Sequence, residues 1–512
     1  MGSRGEQRRR AFAACALAAG AALALLAAPA TAKPLDAPRY EVGFAKRSIN
    51  PEPDGTWKGE TVNLGGYGLG GPPLFSGRPA TGILGRGADV RAMVIRRGKG
   101  VVAVASEQTQ GWFAALKNEA TGLRDLRLEV ERRTHGRVPA EAVIVQSNHS
   151  HSAPDMMGVW GGVPAGYRRF VFDRTVDAIV AAWHKRRPAV LLYGEAPGDD
   201  LLTNQFDKDP RNQGVDSAVR VLRAVHPRTG RTIATQLNFS AHATVLGSGN
   251  SKVSGDWPQR AAPMLERRLG GRALVTMGTL GRTQPSDRGC PKAGREGDGK
   301  ALCALGEYAR RVVDRAVRAA RRARPLRRMP GVEAHSYLIT DLATNPVLLG
   351  FEYAGELIGT PLNRSASPPW FIGPAVSTIT ASARVGDVLV SAYPGEAYPQ
   401  IALDVAAKVR KERGQITLGV ANDQLGYLIA PYSAYPEPIR RTLFNERGDE
   451  ISVIDNDNYF FNVSHTMGER VRCASLRGAG DVFGVGGEYV GADRDCAPFA
   501  ADASRPAGAD VR

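Results

Sequence analysis

Two histidines one residue apart, His149 and His151, follow the apolar run Ala142-Val143-Ile144-Val145 and precede Pro154-Asp155. The run is rich in β-branched residues and reads as a buried strand; the polar cluster closed by proline reads as a loop at its end. Side chains two apart on an extended chain share a face, so both imidazoles can face one cleft. Paired imidazoles suit a metal such as zinc. The same residues also suit a polar strand-end loop whose histidines only hydrogen-bond. A His-x-His pair becomes a metal site only with partners from elsewhere in the chain.

Three other loops offer such partners. His242 lies in Phe239-Ser240-Ala241-His242-Ala243-Thr244, Glu396 in Tyr393-Pro394-Gly395-Glu396, and Tyr427 closes the Gly419–Tyr427 segment. Each has a structural alternative. The histidines could be satisfied core groups, Glu396 a carboxylate at the start of a helix, and Tyr427 a packed loop tyrosine. Asp155 and Asp256 read as turn or helix-cap aspartates.

The elements around these loops alternate. Strands are expected at Tyr40–Ile49, Val90–Ile95, Gly100–Ser106, Val190–Tyr193, Asp216–Val225, Thr232–Asn238, Ala273–Met277, Val332–Leu342, Val385–Ser391 and Ile416–Val420. Helices are expected over most of Trp112–His135, and over Ala165–Lys185, a segment opening at Ser254–Pro258 and running to Leu269, Ala304–Arg324 and Tyr398–Arg413. Pro361–Pro374 and the last stretch read as irregular. Strand–helix–strand alternation argues for an α/β domain, in which ligands collect at strand ends. The glycine-rich Asn63–Gly71 lacks the context of a phosphate-binding fingerprint.

Met1–Arg10 is arginine-rich, Ala11–Ala28 is apolar, and Ala30-Thr31-Ala32 is a small-x-small cleavage signal. This is the pattern of a secretory signal peptide cleaved after Ala32. The expected location is therefore secreted, periplasmic or at the cell envelope. The division is a leader over 1–32, one catalytic-type domain over 33–500, and a disordered tail over 501–512. Of five cysteines, Cys15 leaves with the leader. Cys290 is expected to pair with Cys303, and Cys473 with Cys496, in an oxidising compartment. The formal net charge of +16 comes from scattered arginines. It fits solvated helix faces or attraction to an anionic membrane surface. No nucleic-acid module is present, so nucleic acid is not an expected partner.

In order and in their neighbours, these loops resemble the neutral/alkaline, non-lysosomal ceramidase family over roughly Tyr40 to Tyr435. Ser147–Pro154, S-N-H-S-H-S-A-P, resembles the family's T-H-T-H-S-G-P. Phe239–Thr244, Tyr393–Glu396 and Gly419–Tyr427 follow in order, and Gly65-Gly66-Tyr67-Gly68 is similar to M-M-G-Y-G. The resemblance is to the amino-terminal catalytic domain. It implies an α/β fold with mixed β-sheets flanked by helices and a metal site at strand-end loops. It implies Zn2+ held by His149, His242, Glu396 and Tyr427, with His151 beside the reacting group. It further implies hydrolysis of the N-acyl amide of ceramide or a related N-acyl lipid, a part in sphingolipid metabolism.

The departures concern ceramide itself. Gln284, in Gly281-Arg282-Thr283-Gln284-Pro285-Ser286, stands where the family has a nucleophilic serine, and Arg282 stands where it has an acidic residue. Glutamine is no nucleophile, but it can orient water or donate a hydrogen bond to an oxyanion. Asn204-Gln205 occupies the place of a family arginine. The chain ends before the family's carboxy-terminal sandwich domain. The expected function is a secreted zinc-dependent amide hydrolase using metal-activated water, with His151 and Gln284 as catalytic residues. Two alternatives stay open: a catalytically altered lipid- or glycan-binding homologue, and a zinc hydrolase for a different ester or amide.

Overall fold

A computed structural model describes residues 37–67, 77–116, 119–204, 214–286, 289–291, 296–345, 362–363, 375–409, 414–429, 462–464 and 466–499. The leader through Ala32, the tail over 501–512, Gln205 and nearly all of Pro361–Pro374 lie outside them.

The large sheet contains β1 (Arg39–Ser48), β2 (Asp89–Arg97), β3 (Gly100–Glu107), β4 (Val143–Ser147), β5 (Arg187–Pro197), β6 (Ala218–Val225), β7 (Thr232–Phe239) and β8 (Arg272–Met277). Their order is β8-β7-β6-β5-β1-β2-β3-β4. A second sheet runs β9 (Val332–Leu342), β10 (Ala375–Val385), β11 (Val388–Ala392) and β12 (Gly414–Leu418), in that order. Both are mixed sheets flanked by helices, as expected.

The layering follows from apolar residues on both faces of the central strands. In β2, Val90, Ala92 and Val94 pack with the helices α1 (Leu123–Arg133) and α2 (Ala165–His184). The alternate residues Met93 and Ile95 pack against Ala383, Val388 and Val390 of the second sheet. Helices α3 (Asp256–Leu269) and α4 (Gly297–Arg322) cover the β5–β8 half. On the outer side of the second sheet lie α5 (Pro399–Lys408) and α6 (Met467–Val482). The order of layers is helix, sheet, sheet, helix. Two strands carry glycine where a helix crosses. A Cβ at Gly43 would lie 1.9 Å from the Ala182 carbonyl oxygen of α2, and one at Gly194 would lie 2.4 Å from that of Ala319 in α4.

Within the two sheets three strand pairs are parallel: β3 with β4, β7 with β8, and β11 with β12. Parallel neighbours require a crossover, and α1, α3 and α5 supply one each. Two edges of the large sheet are then tied by side chains. The buried Gln146 amide of β4 donates to the carbonyls of Met277 (2.7 Å) and Gly419 (2.6 Å) and accepts from the Met277 N–H (2.9 Å). Asn238 of β7 donates to the Thr417 carbonyl of β12 at 2.6 Å.

Three expectations need correction. Helix was expected over most of Trp112–His135, but it covers only Leu123–Arg133. The residues before it are held as loop, with the Ala114 N–H donating to the Asp423 carboxylate at 2.9 Å. Val385–Ser391 is not one strand, because a hairpin turns at Gly386 (φ 64°) and pairs Val385 with Val388. The last stretch contains α6, which buries Val471, Cys473 and Leu476 despite its glycines. Both expected disulfides are present, Cys290–Cys303 and Cys473–Cys496.

Glu107 ends β3 fully buried beneath α2, accepting from Thr175 Oγ1 at 3.1 Å. Burial pushes its carboxyl up to about 8 against hydroxyl hydrogen bonds that pull it down. A raised carboxyl favours folding below its unfolded value of 4.5 and loses that contribution as pH rises through about 8. Glu107→Gln removes the penalty. We expect little change in stability near pH 4 and a gain of a few kcal/mol, at most about 5, near pH 9. Thermal melts of both proteins across that range check this; a pH-independent difference would contradict it.

Candidate metal centre

The carboxyl ends of the three parallel pairs converge. Past β3 comes Gln110, past β4 His149 and His151, past β7 His242, past β8 Thr283 and Gln284, past β11 Glu396, and past β12 Gln424 and Tyr427. Isolated bridges join the loops, pairing Gln146 with Ala421 and Ser150 with Ala243. Asn148 Nδ2 donates to the Gly255 carbonyl (2.9 Å) and Ser150 Oγ to that of Ser254 (2.7 Å). Several of these residues are non-glycine with positive φ: His149 (58°), Asp256 (55°), Val420 (50°) and Asn422 (65°). Such strain persists only where the surroundings fix it, and it concentrates at functional sites.

His149 and His242 are each 1% exposed. The Nδ1 of His149 lies 2.7 Å from the Gln110 carbonyl oxygen, and that of His242 lies 2.8 Å from the Thr283 carbonyl oxygen. A carbonyl can only accept, so both Nδ1 atoms carry the proton and both Nε2 lone pairs face inward. There they meet a carboxylate. Glu396 Oε1 is 3.2 Å from His149 Nε2, and Oε2 is 3.3 Å from His242 Nε2. Lone pairs facing carboxylate oxygens repel unless protons or a cation lie among them. Burial raises the Glu396 carboxyl, and only protonated imidazoles beside it would outweigh that and hold it well below the usual range. Gln424 Nε2 fixes Oε1 at 3.1 Å.

His151 completes a cluster. One nitrogen of each of the three imidazoles lies within 4.8 Å of the others. Both ring nitrogens of His151 are buried without a hydrogen-bond partner among the described residues. Burial, then the neighbouring imidazoles, drive its pKa well below the ordinary value, so it is neutral. Its ring packs edge-on against Tyr67 at 4.7 Å, over Gly66, where a Cβ would come within 2.3 Å of the ring. The three histidines, the carboxylate and the unpartnered nitrogens of His151 form a donor set that fits a divalent transition metal.

Tyr427 stands opposite Glu396 in a short parallel pair, so the two side chains share a face; its ring is buried with Tyr398 and Ile429. Gln284 pairs with Thr203 on the short strand Thr283–Pro285, and its Oε1 accepts from Thr244 Oγ1 at 2.8 Å. The hydroxyls near it are committed to carbonyls: Thr283 Oγ1 donates to Ser240, and Ser286 Oγ to Asp200 at 2.6 Å. The two departures from the ceramidase pattern meet, since buried Arg282 donates from Nε to Asn204 Oδ1 at 3.1 Å. Asp155 and Asp256 are loop organisers. Asp155 accepts from the N–H groups of Met157, Gly158, Trp160 and Gly162, and Asp256 from those of Val245 and Leu246. Sequence reasoning did not single out Gln110, Gln146 or Gln424, whose roles depend on contacts across the fold.

A second group, Glu469 with Cys473 and Cys496, also has metal-like spacing, but its sulfurs form a disulfide and Glu469 pairs with Arg472.

Fold and site together define an α/β protein with a strand-end histidine–carboxylate centre. Two solved structures that share this fold are ceramidases. The crystal structure of neutral ceramidase from Pseudomonas aeruginosa matches with a TM-score of 0.66 and 16% sequence identity, covering 88% of this chain and 75% of that one. A ceramidase complexed with C2 matches with a TM-score of 0.63 and 16% identity, covering 87% and 75%. No family model and no curated protein sequence matches the chain.

Proposed function

We propose that this chain is an exported zinc-dependent hydrolase of N-acyl bonds, acting on ceramide or a related N-acyl lipid. The observation that carries the reading is the inward-facing pair of Nε2 lone pairs held against both oxygens of Glu396. The ceramidase fold and the complex of one such enzyme with C2 support the substrate class.

In this reading His149, His242, Glu396 and Tyr427 hold the metal, and His151 sits beside the reacting group. A bound zinc would supply a water acidified to a pKa of about 7 and a Lewis acid for a carbonyl oxygen. The Gln110 and Thr283 carbonyls keep the ligand rings turned inward. His151, with both nitrogens uncommitted among the described residues, takes up a proton or donates to the acyl oxygen as charge develops there. Thr244 occupies Gln284 Oε1, which leaves the Gln284 Nε2 hydrogens to donate to that same oxygen. No hydroxyl near Gln284 is offered as a nucleophile, so attack falls to water.

The test is a panel of ceramides, other N-acyl lipids and simple esters, assayed with added zinc and with chelator. Chelator-sensitive release of fatty acid from an N-acyl lipid is the expected result, and Gln284→Ala should lower kcat by about 10- to 1,000-fold. Turnover confined to esters would redirect the substrate. The missing hydroxyl nucleophile favours one second reading, a lipid-binding protein that kept its metal; bound zinc with no turnover on any substrate would select it.

A further inference from the structure

The β2–β3 turn, the end of α2 and the stretch leading into β4 enclose a cavity of about 670 Å³. It lies at the amino end of β4, whereas His149 follows the carboxyl end. Five residues of strand place it about 17 Å from the metal centre. Four cations line it, Arg96, Lys99, Arg137 and Arg186, along with Trp183.

These cations exceed the carboxylates available to them. Arg96 and Arg186 share one oxygen of Glu41, at 2.9 and 3.4 Å. The side chains of Lys99 and Arg137 make no hydrogen bond or ion pair among the described residues. Of the two acids on the wall, Glu333 is engaged by His335 and Arg384, both at 3.3 Å, while Glu141 makes no ion pair among the described residues. Arg186 lies over the Trp183 ring, 3.2 Å from its centroid, which fixes the guanidinium as one wall. Burial and the charges of Arg96 and Arg137 hold Arg186 below its usual range against the pull of Glu41. Like charges gathered in one concavity focus a positive potential, and guanidinium forks match phosphate oxygens.

We propose that this cavity is a binding site for a phosphate group, carried by a soluble phosphate compound or by a lipid headgroup. Arg137 and Lys99 bind it directly, and the Arg186–Trp183 stack holds the third positive wall. The site is separate from the metal centre and makes this pole of the molecule responsive to phosphate-bearing ligands or surfaces.

The experiment uses the zinc-loaded chain and its Lys99→Ala/Arg137→Ala variant, both exposed positions that leave the core untouched. Inorganic phosphate and pyrophosphate are titrated by calorimetry, and vesicles of phosphatidylcholine with and without phosphatidic acid are tested by co-flotation. Binding should weaken with ionic strength and fall about tenfold or more in the variant. Response to the soluble anions identifies a free phosphate ligand; response only to phosphatidic acid vesicles identifies a headgroup. Absence of binding to every probe, or equal binding by the variant, overturns the proposal.

Discussion

His242→Ala is expected to lose its zinc and its hydrolytic activity together, and His149→Ala likewise. Each ring supplies one inward lone pair held by one carbonyl, and Glu396 spans the two. Removing groups that merely orient a ligand costs about 10- to 100-fold in affinity or activity, so losing the ligand itself should exceed that. Elemental analysis beside kcat/KM for an N-acyl lipid checks both. Full zinc occupancy with unchanged turnover in either variant would defeat the metal assignment. His151→Ala gives the contrast: it should keep most of its zinc while kcat falls, because its proposed work is on the substrate. If it loses zinc as completely as His242→Ala, His151 is a ligand too.

The second large effect concerns a residue with no chemical role. Gln146→Leu keeps approximate volume but leaves the Met277 N–H and the Gly419 carbonyl without their buried partner, while the Met277 carbonyl keeps only the Gly419 N–H. Each orphaned buried group costs about 1–3 kcal/mol, so a loss of roughly 2–6 kcal/mol is expected. Denaturant unfolding would show it, and the variant should also bind zinc more weakly. The reason is position: Gln146 joins β4, which delivers His149, to β8 and to the residue after β12. Gln146→Glu keeps the shape but sets a carboxylate oxygen against the two carbonyls, so it should be at least as costly. A Gln146→Leu protein as stable as the parent would mean that the edges are held by packing alone.

The sequence made the strands of the large sheet legible because they are apolar on both faces, as in Val90–Ile95 and Gly100–Ser106. The chemistry was legible at the strand ends for a related reason. A polar cluster directly after a β-branched run, as in Gln146–Ser150, has few structural explanations. What it hid are elements without such contrast. Strand β10 is built largely from Ser, Thr and Ala, and α6 carries four glycines or serines among its buried residues, so neither shows a clean period. Trp112–Gly122 has helical spacing, but Asp423, more than three hundred positions later, holds its backbone as loop. The glutamines that orient the site were hidden for the same reason: an amide's partner is set by tertiary contact and leaves no local trace.

Each of the three crossover units carries part of the proposed metal shell, with His149, His242 and Glu396 drawn from separate units. The His242–Glu396 contact alone closes a separation of 154 residues. Bringing such distant segments together is slow, since loop entropy is spent before any contact returns it. No unit by itself holds more than a fragment of the coordination sphere. An ion held there would therefore not serve as an early template for folding. It would bind only the finished molecule, so zinc at the proposed site would act as a lock on the last stage of assembly and as a reporter that every sheet has docked.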